Sequence, residues 1–148
     1  MRSGEFNIYK SSGAAQFRLI LPKFDDRGYI DKDGGIHLEC APGDGNKEDP
    51  KWDWSKKINI SLGLADIAIL MDQTKAQVRL VHDYKGVIKT LRLEPGVGNY
   101  EGTYKLYLSE GPKESRKEVM VPLSNGEYNL LMRLISSVTP ILINWTNG

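Results

Sequence analysis

Two stretches of the sequence share one pattern, and this repeat limits the folds that the chain can adopt. The stretch "KKINISLGLADIAILM" at 56–71 aligns with "KEVMVPLSNGEYNLLM" at 117–132 at an offset of 61 residues. In each copy, alternating apolar residues predict a strand, and a longer apolar segment predicts a helix after a short connection. Ser124 with Glu127 three residues later has the spacing of a capping box at the start of the second helix. Chance similarity between two strand–helix units is the alternative to duplication.

Upstream of each copy, apolar and polar residues alternate with a period of two, which is typical of strands with one buried face. Antiparallel sheets show this pattern when one face is packed and the other is wet. About four strands followed by a helix, twice, predict an α+β domain with two antiparallel sheets. Lys89 makes one strand less regular than the others. The strands are expected at 15–21, 36–40, 57–62, 76–80, 87–93 and 103–109.

The domain boundaries follow from the same pattern. We expect one domain over 7–148, with internal repeats at about 9–73 and 76–138, and we interpret residues 1–6 as a leader outside it. The second helix is expected over 124–138, because the residue before Pro140 tends to leave the helical conformation.

The charge balance excludes a strongly basic chain. Lys and Arg number 20 against 19 Asp and Glu, which gives a formal net charge of +1. Any affinity for phosphate must therefore depend on where the cations lie. The single cysteine, Cys40, rules out an internal disulfide and favours a reducing compartment. No apolar stretch is long and unbroken enough to predict a membrane span.

A search for catalytic or metal-binding residues finds no usable cluster. Of the two histidines, His82 continues the core-facing register of its strand and is predicted to be structural. His37 and Cys40 are three residues apart on a strand, which places them on opposite faces and disfavours a metal site. We therefore predict a protein that is not an enzyme and has no catalytic residue, metal or cofactor.

The outward face of the predicted strands is the candidate binding surface. It collects basic, amide and aromatic side chains, whereas most acidic residues are expected in turns. Lys and Arg suit phosphates, Gln and Asn suit sugar or base edges, and Tyr suits stacking on bases. A solvated face that serves solubility alone is the competing interpretation. The face comprises Gln16, Arg18, His37, Lys57, Asn59, Gln77, Arg79, Lys105 and Tyr107.

Several co-linear segments resemble the Whirly-like family, which includes plant single-stranded-DNA-binding proteins and kinetoplastid mitochondrial guide-RNA-binding proteins. The segments are "YKSSGAAQ", "GGIHLECAPG", "WDWSKKINISLGLADIAIL", "VHDYKG", "VIKTLRLEP" and "VMVPLSNGEYNLLMRLISSVTPILINW". The resemblance implies two four-stranded antiparallel sheets packed roughly perpendicular, each followed by a helix. It also implies tetramers that assemble through the helices and leave the sheet surfaces outside for single-stranded nucleic acid.

One departure from the family pattern sets the expected ligand. Plant members carry a Lys-Gly-Lys-Ala-Ala-Leu segment tied to DNA binding, whereas positions 11–16 of this chain read "SSGAAQ" and lack both lysines. The resemblance then favours the kinetoplastid branch, a sequence-nonspecific guide-RNA-binding protein that promotes guide RNA–mRNA annealing in mitochondrial RNA editing. Its partners would be single-stranded guide RNA and a related Whirly-like subunit in a heterotetramer. The alternative is a plant-type organellar protein that binds single-stranded DNA. A mitochondrial location is expected, with the transit peptide absent from this sequence.

The residues expected to contact RNA extend the outward face with further cations. They are Arg18, Lys56, Lys57, Asn59, Gln77, Arg79, Lys89, Arg92, Lys105 and Tyr107. Cations at these positions would hold the phosphate backbone, so binding would depend on salt more than on sequence. Two other hypotheses stay open: an enzyme with an unrecognised site, and a structural subunit whose partner binds the nucleic acid.

Overall fold

Ten strands and two helices lie within the residues that the computed structural model describes, which are 4–72, 74–112 and 114–145. Short 3-10 turns occupy Trp54–Lys56 and Gly98–Tyr100. The strands are β1 (Glu5–Lys10), β2 (Gly13–Ile20), β3 (Lys23–Phe24), β4 (Ile30–Lys32), β5 (Gly35–Pro42), β6 (Ile58–Leu62), β7 (Val78–Tyr84), β8 (Val87–Pro95), β9 (Tyr104–Glu110) and β10 (Lys117–Leu123). The helices are α1 (Leu64–Leu70) and α2 (Asn125–Leu142).

Eight of these strands form two antiparallel sheets. The first sheet has the order β1-β2-β5-β6 and is followed in the chain by α1, and the second has the order β10-β9-β8-β7 and is followed by α2. This arrangement confirms the predicted α+β class with four-stranded antiparallel sheets and a C-terminal helix. Perpendicular packing and duplication stay predictions. The small β3–β4 pair is not predicted, because "KFDDRGYIDK" lacks an alternating apolar pattern.

Alternate residues of both sheets contribute to one continuous core. Leu38 of β5 and Leu108 of β9 are completely buried in it. The sheets approach closely where β2 begins, since a Cβ atom added to Gly13 would lie 2.8 Å from the carbonyl oxygen of Met120. Glycine at this position allows the backbones of β2 and β10 to approach. The opposite face of each sheet carries the polar strand residues, although Ala14 and Ala41 in the first sheet and Thr90 and Ser109 in the second are buried there.

Helix α2 begins with the predicted capping box and ends later than predicted. Glu127 N donates to Ser124 Oγ at 3.1 Å, and Ser124 N donates to the Glu127 carboxylate at 2.8 Å. The predicted end before Pro140 is wrong, because the helix continues to Leu142 with the proline inside it. Proline removes one backbone donor, but Leu142 is buried in the core and holds the last turn in place. Within the described segments, no helix is long and apolar enough to cross a membrane.

Strand β1 begins inside the segment interpreted as a leader. Glu5 pairs with Arg18, and Phe6 pairs with Phe17, in the antiparallel β1–β2 ladder. Phe6 also packs against the core, with its ring centroid 6.2 Å from that of Phe17. The folded unit therefore includes two residues of that segment, whereas a natural domain boundary at residue 7 stays a prediction.

Candidate nucleic-acid interface

The outer face of the first sheet carries two polar rows that cross its strands. One row joins Asn7, Gln16, Glu39 and Asn59 as Cα partners on neighbouring strands. The other row joins Glu5, Arg18, His37 and Ser61. Because side chains alternate along a strand and the intervening residues are buried, these polar groups point outward. We name these eight residues, together with Lys57 directly before β6, the first outer face.

Glu39 lies at the centre of the first outer face, and only 12% of its side chain is exposed. Its Oε1 atom accepts hydrogen bonds from Arg18 Nη2 at 3.5 Å, His37 Nε2 at 3.2 Å and Lys57 Nζ at 3.2 Å. Burial by itself would raise the pKa of Glu39, but the hydrogen bond and charge of Lys57, followed by those of His37, lower this pKa below its ordinary value. The carboxylate is therefore ionised at neutral pH and fixes three donors on this face.

The outer face of the second sheet is richer in arginine. Arg79, Arg92 and Tyr107 are Cα partners on β7, β8 and β9. The guanidinium carbon of Arg92 lies 4.3 Å from the centroid of the Tyr107 ring, which is a cation–π contact. A concavity of about 640 Å³ opens over this region. We name the following residues the second outer face: Gln77, Arg79, Arg92, Glu94, Lys105, Tyr107, Arg116 and Glu118.

Carboxylates restrain two of the arginines on the second outer face. Arg92 donates to Glu94 at 2.6 Å and to Glu118 at 3.3 Å. Arg116 lies 3.8 Å from the same Glu118 carboxylate and donates to Ser109 Oγ at 2.7 Å. The Glu94 and Glu118 side chains are 25% and 36% exposed, so solvent screens these pairs.

Three further predicted cations are placed differently. Arg79 is exposed and forms no ion pair within the described residues. Lys105 also lacks an ion pair there, and its ammonium group lies 5.6 Å from the centroid of the Tyr100 ring. Lys56 ends a 3-10 turn at the edge of the first outer face, is well exposed, and lies 3.9 Å from Asp53. Arg79 and Lys56 are therefore open to an incoming phosphate, whereas Lys105 is half-buried.

Lys89 lies between the two sheets and not on either outer face. Its Nζ atom donates to the backbone oxygen of Asn59 at 2.6 Å and to the side-chain oxygen of Asn59 at 3.3 Å. It also lies 3.4 Å from Glu110 and 5.3 Å from the centroid of the Tyr84 ring. Only 13% of the Lys89 side chain is exposed. The structure thus binds the Lys89 ammonium group to Asn59, which is another predicted contact residue, and joins β8 to the edge strand β6 through it.

The sequence profile of the Whirly transcription factor family matches residues 8–134 of the chain. The chain belongs to the Whirly family. The chloroplastic single-stranded DNA-binding protein WHY1 of Arabidopsis thaliana is 28% identical over 94% of this chain. The chain spans 56% of the length of that relative.

Solved Whirly structures match the chain along its length. The crystal structure of WHY1 from Arabidopsis thaliana superposes with a TM-score of 0.86 at 25% identity, covering 99% of this chain and 89% of that one. The plant transcriptional regulator PBF-2 gives a TM-score of 0.83 at 25% identity, covering 99% and 86%. A guide-RNA-binding protein complex bound to a guide RNA gives a TM-score of 0.51 at 11% identity, covering 99% and 94%. This last likeness concerns the fold alone.

The prediction of a guide-RNA-binding factor in RNA editing is wrong, because the plant Whirly proteins resemble this chain far more closely than the guide-RNA-binding complex does. The missing lysines at 11–16 misled the choice between branches. In this Whirly structure Ala14 and Ala15 are fully buried, and Gly13 lies against β10. Packing therefore restricts the residues that this segment can carry, and the absence of two lysines from it does not show whether the ligand is DNA or RNA.

Acidic residues that were not among those predicted in turns lie on both outer faces of this Whirly protein. Glu39, Glu94 and Glu118 lie on strands beside the cations that they pair with. The faces are therefore mixed in charge and not basic. Sequence reasoning also missed Arg116, which lies just before β10 and lines the concavity. The period-two alternation of the strand continues back from Glu118 to Arg116, and this pattern could have identified Arg116 as an outward-facing residue.

The polar groups outside the outer faces have structural partners in this Whirly fold. His82 Nε2 lies 2.9 Å from the Asp66 carboxylate, and His82 Nδ1 lies 2.8 Å from Tyr84 Oη. Burial and the Asp66 charge raise the pKa of Tyr84, which disfavours an activated phenolate. Burial likewise raises the pKa of the Cys40 thiol. In the described part of the chain, no cluster of three or more His, Cys, Asp or Glu could hold a metal ion.

Proposed function

We propose that this Whirly family member binds single-stranded DNA through the outer faces of its two sheets and catalyses no reaction. The observation that carries the proposal is the row of Arg79, Arg92 and Tyr107 on the second outer face. It is supported by the match to WHY1, which is named a single-stranded DNA-binding protein, over 99% of this chain.

On the second outer face, Arg79 makes the first contact with a DNA phosphate. Its guanidinium has no carboxylate partner within the described residues, so phosphate binding breaks no existing ion pair. Arg92 then exchanges Glu118 for phosphate, since an exposed ion pair is worth only about 0–1 kcal/mol. Tyr107 supports the Arg92 plane and offers its ring to a base, and such stacking is worth about 1–3 kcal/mol per base.

The first outer face contributes hydrogen bonds to bases. Gln16 and Asn59 stand on either side of Glu39 in one row; the Gln16 amide can both donate and accept, and the Asn59 amino group can donate while its oxygen accepts from Lys89. Lys56 lies at the edge of this face, where it can hold the backbone of the same strand, and Lys57 beside it is also exposed but directs its ammonium group to Glu39 at 3.2 Å. In this arrangement the DNA phosphates contact the edge of the sheet and the bases contact its centre.

We assign Lys89 a structural role within the same proposal. Its ammonium group already has three acceptors, which are two oxygens of Asn59 and the carboxylate of Glu110. A buried lysine that left these groups for a phosphate would leave acceptors without donors, which costs more than an exposed contact gains. The other predicted contact residues are kept in the proposal.

Competition between nucleic acids of identical sequence tests the proposal. Single-stranded DNA should displace single-stranded RNA and duplex DNA from the chain, and affinity should fall with rising salt because bound counterions are released. The variant Arg79→Ala/Arg92→Ala should weaken binding to all sequences alike and reduce the salt slope by about 2.

A matched control removes the same charge from another part of the surface. Arg27→Ala/Lys47→Ala deletes two exposed cations on loops away from the outer faces, and we expect DNA affinity to stay close to that of the unmodified chain. Tighter binding of RNA than of DNA, or equal losses in the two double variants, would contradict the proposal.

Assembly and location extend the proposal. Helix α2 exposes Leu130, Leu134 and Ile141, which are 49%, 40% and 41% accessible, and helix-mediated assembly would cover such residues. A heterotetramer with a related subunit stays a prediction, and light scattering of the purified chain alone separates it from self-assembly. WHY1, the relative described above, is chloroplastic, so we propose an organellar location, whereas a mitochondrion has no support from it.

A further inference from the structure

We infer that Glu39 makes the first outer face selective for bases that carry an amino group and unfavourable to thymine. The inference rests on the proposed binding of single-stranded DNA and adds a specificity to it. Three observations carry it: the unused oxygen of the Glu39 carboxylate, the polar row around it, and the neutralisation of the cations beside it.

The first observation is that one oxygen of Glu39 has no protein donor. Arg18, His37 and Lys57 all donate to Oε1, whereas Oε2 has no hydrogen-bond partner within the described residues. Among the buried side-chain oxygens and nitrogens of those residues, only Ser12 Oγ lacks a partner. Oε2 is therefore not enclosed, and it reaches the surface through the 12% of the side chain that is exposed.

The second observation is the row in which this oxygen stands. Gln16 and Asn59 are the Cα partners of Glu39 on the two neighbouring strands. Neighbouring strands are about 4.8 Å apart, so the two amides stand roughly 10 Å from each other with the carboxylate between them. A base that lies edge-on between them meets an acceptor in the middle, the amide of Gln16 on one side and the amino group of Asn59 on the other, because the Asn59 side-chain oxygen already accepts from Lys89.

The third observation concerns charge. Lys57 and Arg18 lie on the Oε1 side of the carboxylate at 3.2 Å and 3.5 Å, and Arg18 also lies 3.9 Å from Glu5, so that two carboxylates balance the two cations. A phosphate that approached Oε2 would meet a second anion, and two like charges in a partly buried site repel strongly. The centre of the first outer face therefore favours a neutral base over the DNA backbone.

An ionised carboxylate can only accept hydrogen bonds, and this restricts the bases that fit. Cytosine, adenine and guanine carry amino groups that donate to a carboxylate oxygen, and the contact from cytosine N4 to Glu is an established example. Thymine presents the acceptor O4 at the position where cytosine has its amino group. Its one ring N–H lies between two carbonyl oxygens, both of which the carboxylate repels.

The test compares DNA homopolymers of equal length at neutral pH. Oligo-deoxycytidine and oligo-deoxyuridine have the same phosphates, and neither base has a methyl group. Their bases therefore differ only at ring positions 3 and 4. We expect the unmodified chain to bind the cytidine polymer about 5- to 10-fold more tightly, as one discriminating base contact implies. Glu39→Gln should bring this ratio close to one, because an amide both donates and accepts.

Glu118→Gln is the matched control, since it removes one negative charge from the second outer face. It should raise the affinity for both polymers alike and leave their ratio unchanged. A shift in the ratio with Glu39→Gln alone would support base recognition, whereas equal ratios in both variants would show that Glu39 acts through charge only and would overturn the inference.

A modified polymer tests the inference without changing the protein. Oligo-N4,N4-dimethyldeoxycytidine lacks both amino hydrogens, and it should bind the unmodified chain about as weakly as the uridine polymer. Equal binding of the cytidine and uridine polymers would overturn the inference while leaving the proposed function intact. Failure of the unmodified chain to bind any of the three polymers would overturn the proposed function itself.

Discussion

The first and second outer faces belong to the same fold, but their carboxylates differ in how deeply they are buried. On the first face, one carboxylate with 12% exposure is surrounded by its cations. On the second face, the carboxylates of Glu94 and Glu118 are 25% and 36% exposed and stand around an arginine row. The contrast shows that a chain of net charge +1 can offer two distinct surfaces to one ligand, because burial decides which charges are exchangeable.

The physical difference is the cost of separating each ion pair. An exposed pair is screened and contributes about 0–1 kcal/mol, so a phosphate can replace Glu118 beside Arg92 with little loss. Removing the cations from a buried carboxylate leaves an uncompensated charge and is strongly destabilising. The second face is therefore suited to binding the DNA backbone, whereas the first face keeps its ion cluster and offers hydrogen-bonding groups.

The largest effect is expected when a buried side chain is removed from either sheet, and this change tests whether the two sheets unfold as one unit. Leu38→Ala in the first sheet and Leu108→Ala in the second each remove a completely buried side chain, and each should lower the free energy of unfolding by about 2–5 kcal/mol. Urea denaturation monitored by tryptophan fluorescence measures the change. Val97→Ala, at a residue that is 79% exposed, is the control. A near-zero cost for only one of the two leucines would mean that the sheets do not unfold as one unit.

The second largest effect concerns the aromatic group in the arginine row of the second outer face. Tyr107→Ala should weaken binding of single-stranded DNA by about 1–3 kcal/mol, because a stacked base loses its platform. Tyr107→Phe should retain most of the affinity, which assigns the effect to the ring and not to the hydroxyl. Tyr29→Ala, on the exposed β3–β4 hairpin, should leave the affinity unchanged. Equal affinities of the Tyr107→Ala variant and the unmodified chain would place the DNA elsewhere.

The scaffold could be predicted from the sequence because its signals are local. The alternation of Leu106 and Leu108 with polar neighbours marks β9, and Ser124 with Glu127 marks the start of α2. Each signal needs only the residues within one element. Pro140 was misread, because burial of Leu142 outweighs the local preference of proline to end a helix.

The charge pattern of the faces could not be predicted, because it depends on strand register. Glu39 and Lys57 are 18 residues apart in the chain, yet their side chains meet at 3.2 Å across β5 and β6. Lys89 is 30 residues from Asn59 and bonds to it between the sheets. Only the pairing of the strands and the packing of the sheets bring these groups together, and a single sequence contains neither directly.

A smaller effect separates the two faces by their dependence on salt. Arg79 has no ion pair within the described residues, so Arg79→Ala should reduce the slope of log affinity against log salt by about 1. Arg18 already contacts Glu39 and Glu5 at 3.5 Å and 3.9 Å, and Arg18→Ala should change the slope less. Filter binding across a salt series measures both. A larger change with Arg18→Ala would reverse the assignment of backbone and base contacts to the two faces.

The smallest effect is the contribution of the first outer face to the dependence of stability on acid. The pKa of Glu39 is lowered in the folded chain from an ordinary value of 4.5, so its contribution to stability is present above that value. The contribution is lost as the pH falls through the folded pKa. The groups that face the carboxylate are Arg18, His37 and Lys57, and the two permanent cations keep it ionised.

Thermal melting below pH 4.5 should therefore show a shallower loss of stability for Glu39→Gln than for the unmodified chain, whereas Glu118→Gln should follow the unmodified curve. Parallel curves for the unmodified chain and Glu39→Gln would show that the buried cluster adds no acid-sensitive stability. The two faces would then differ only in the ligands they present.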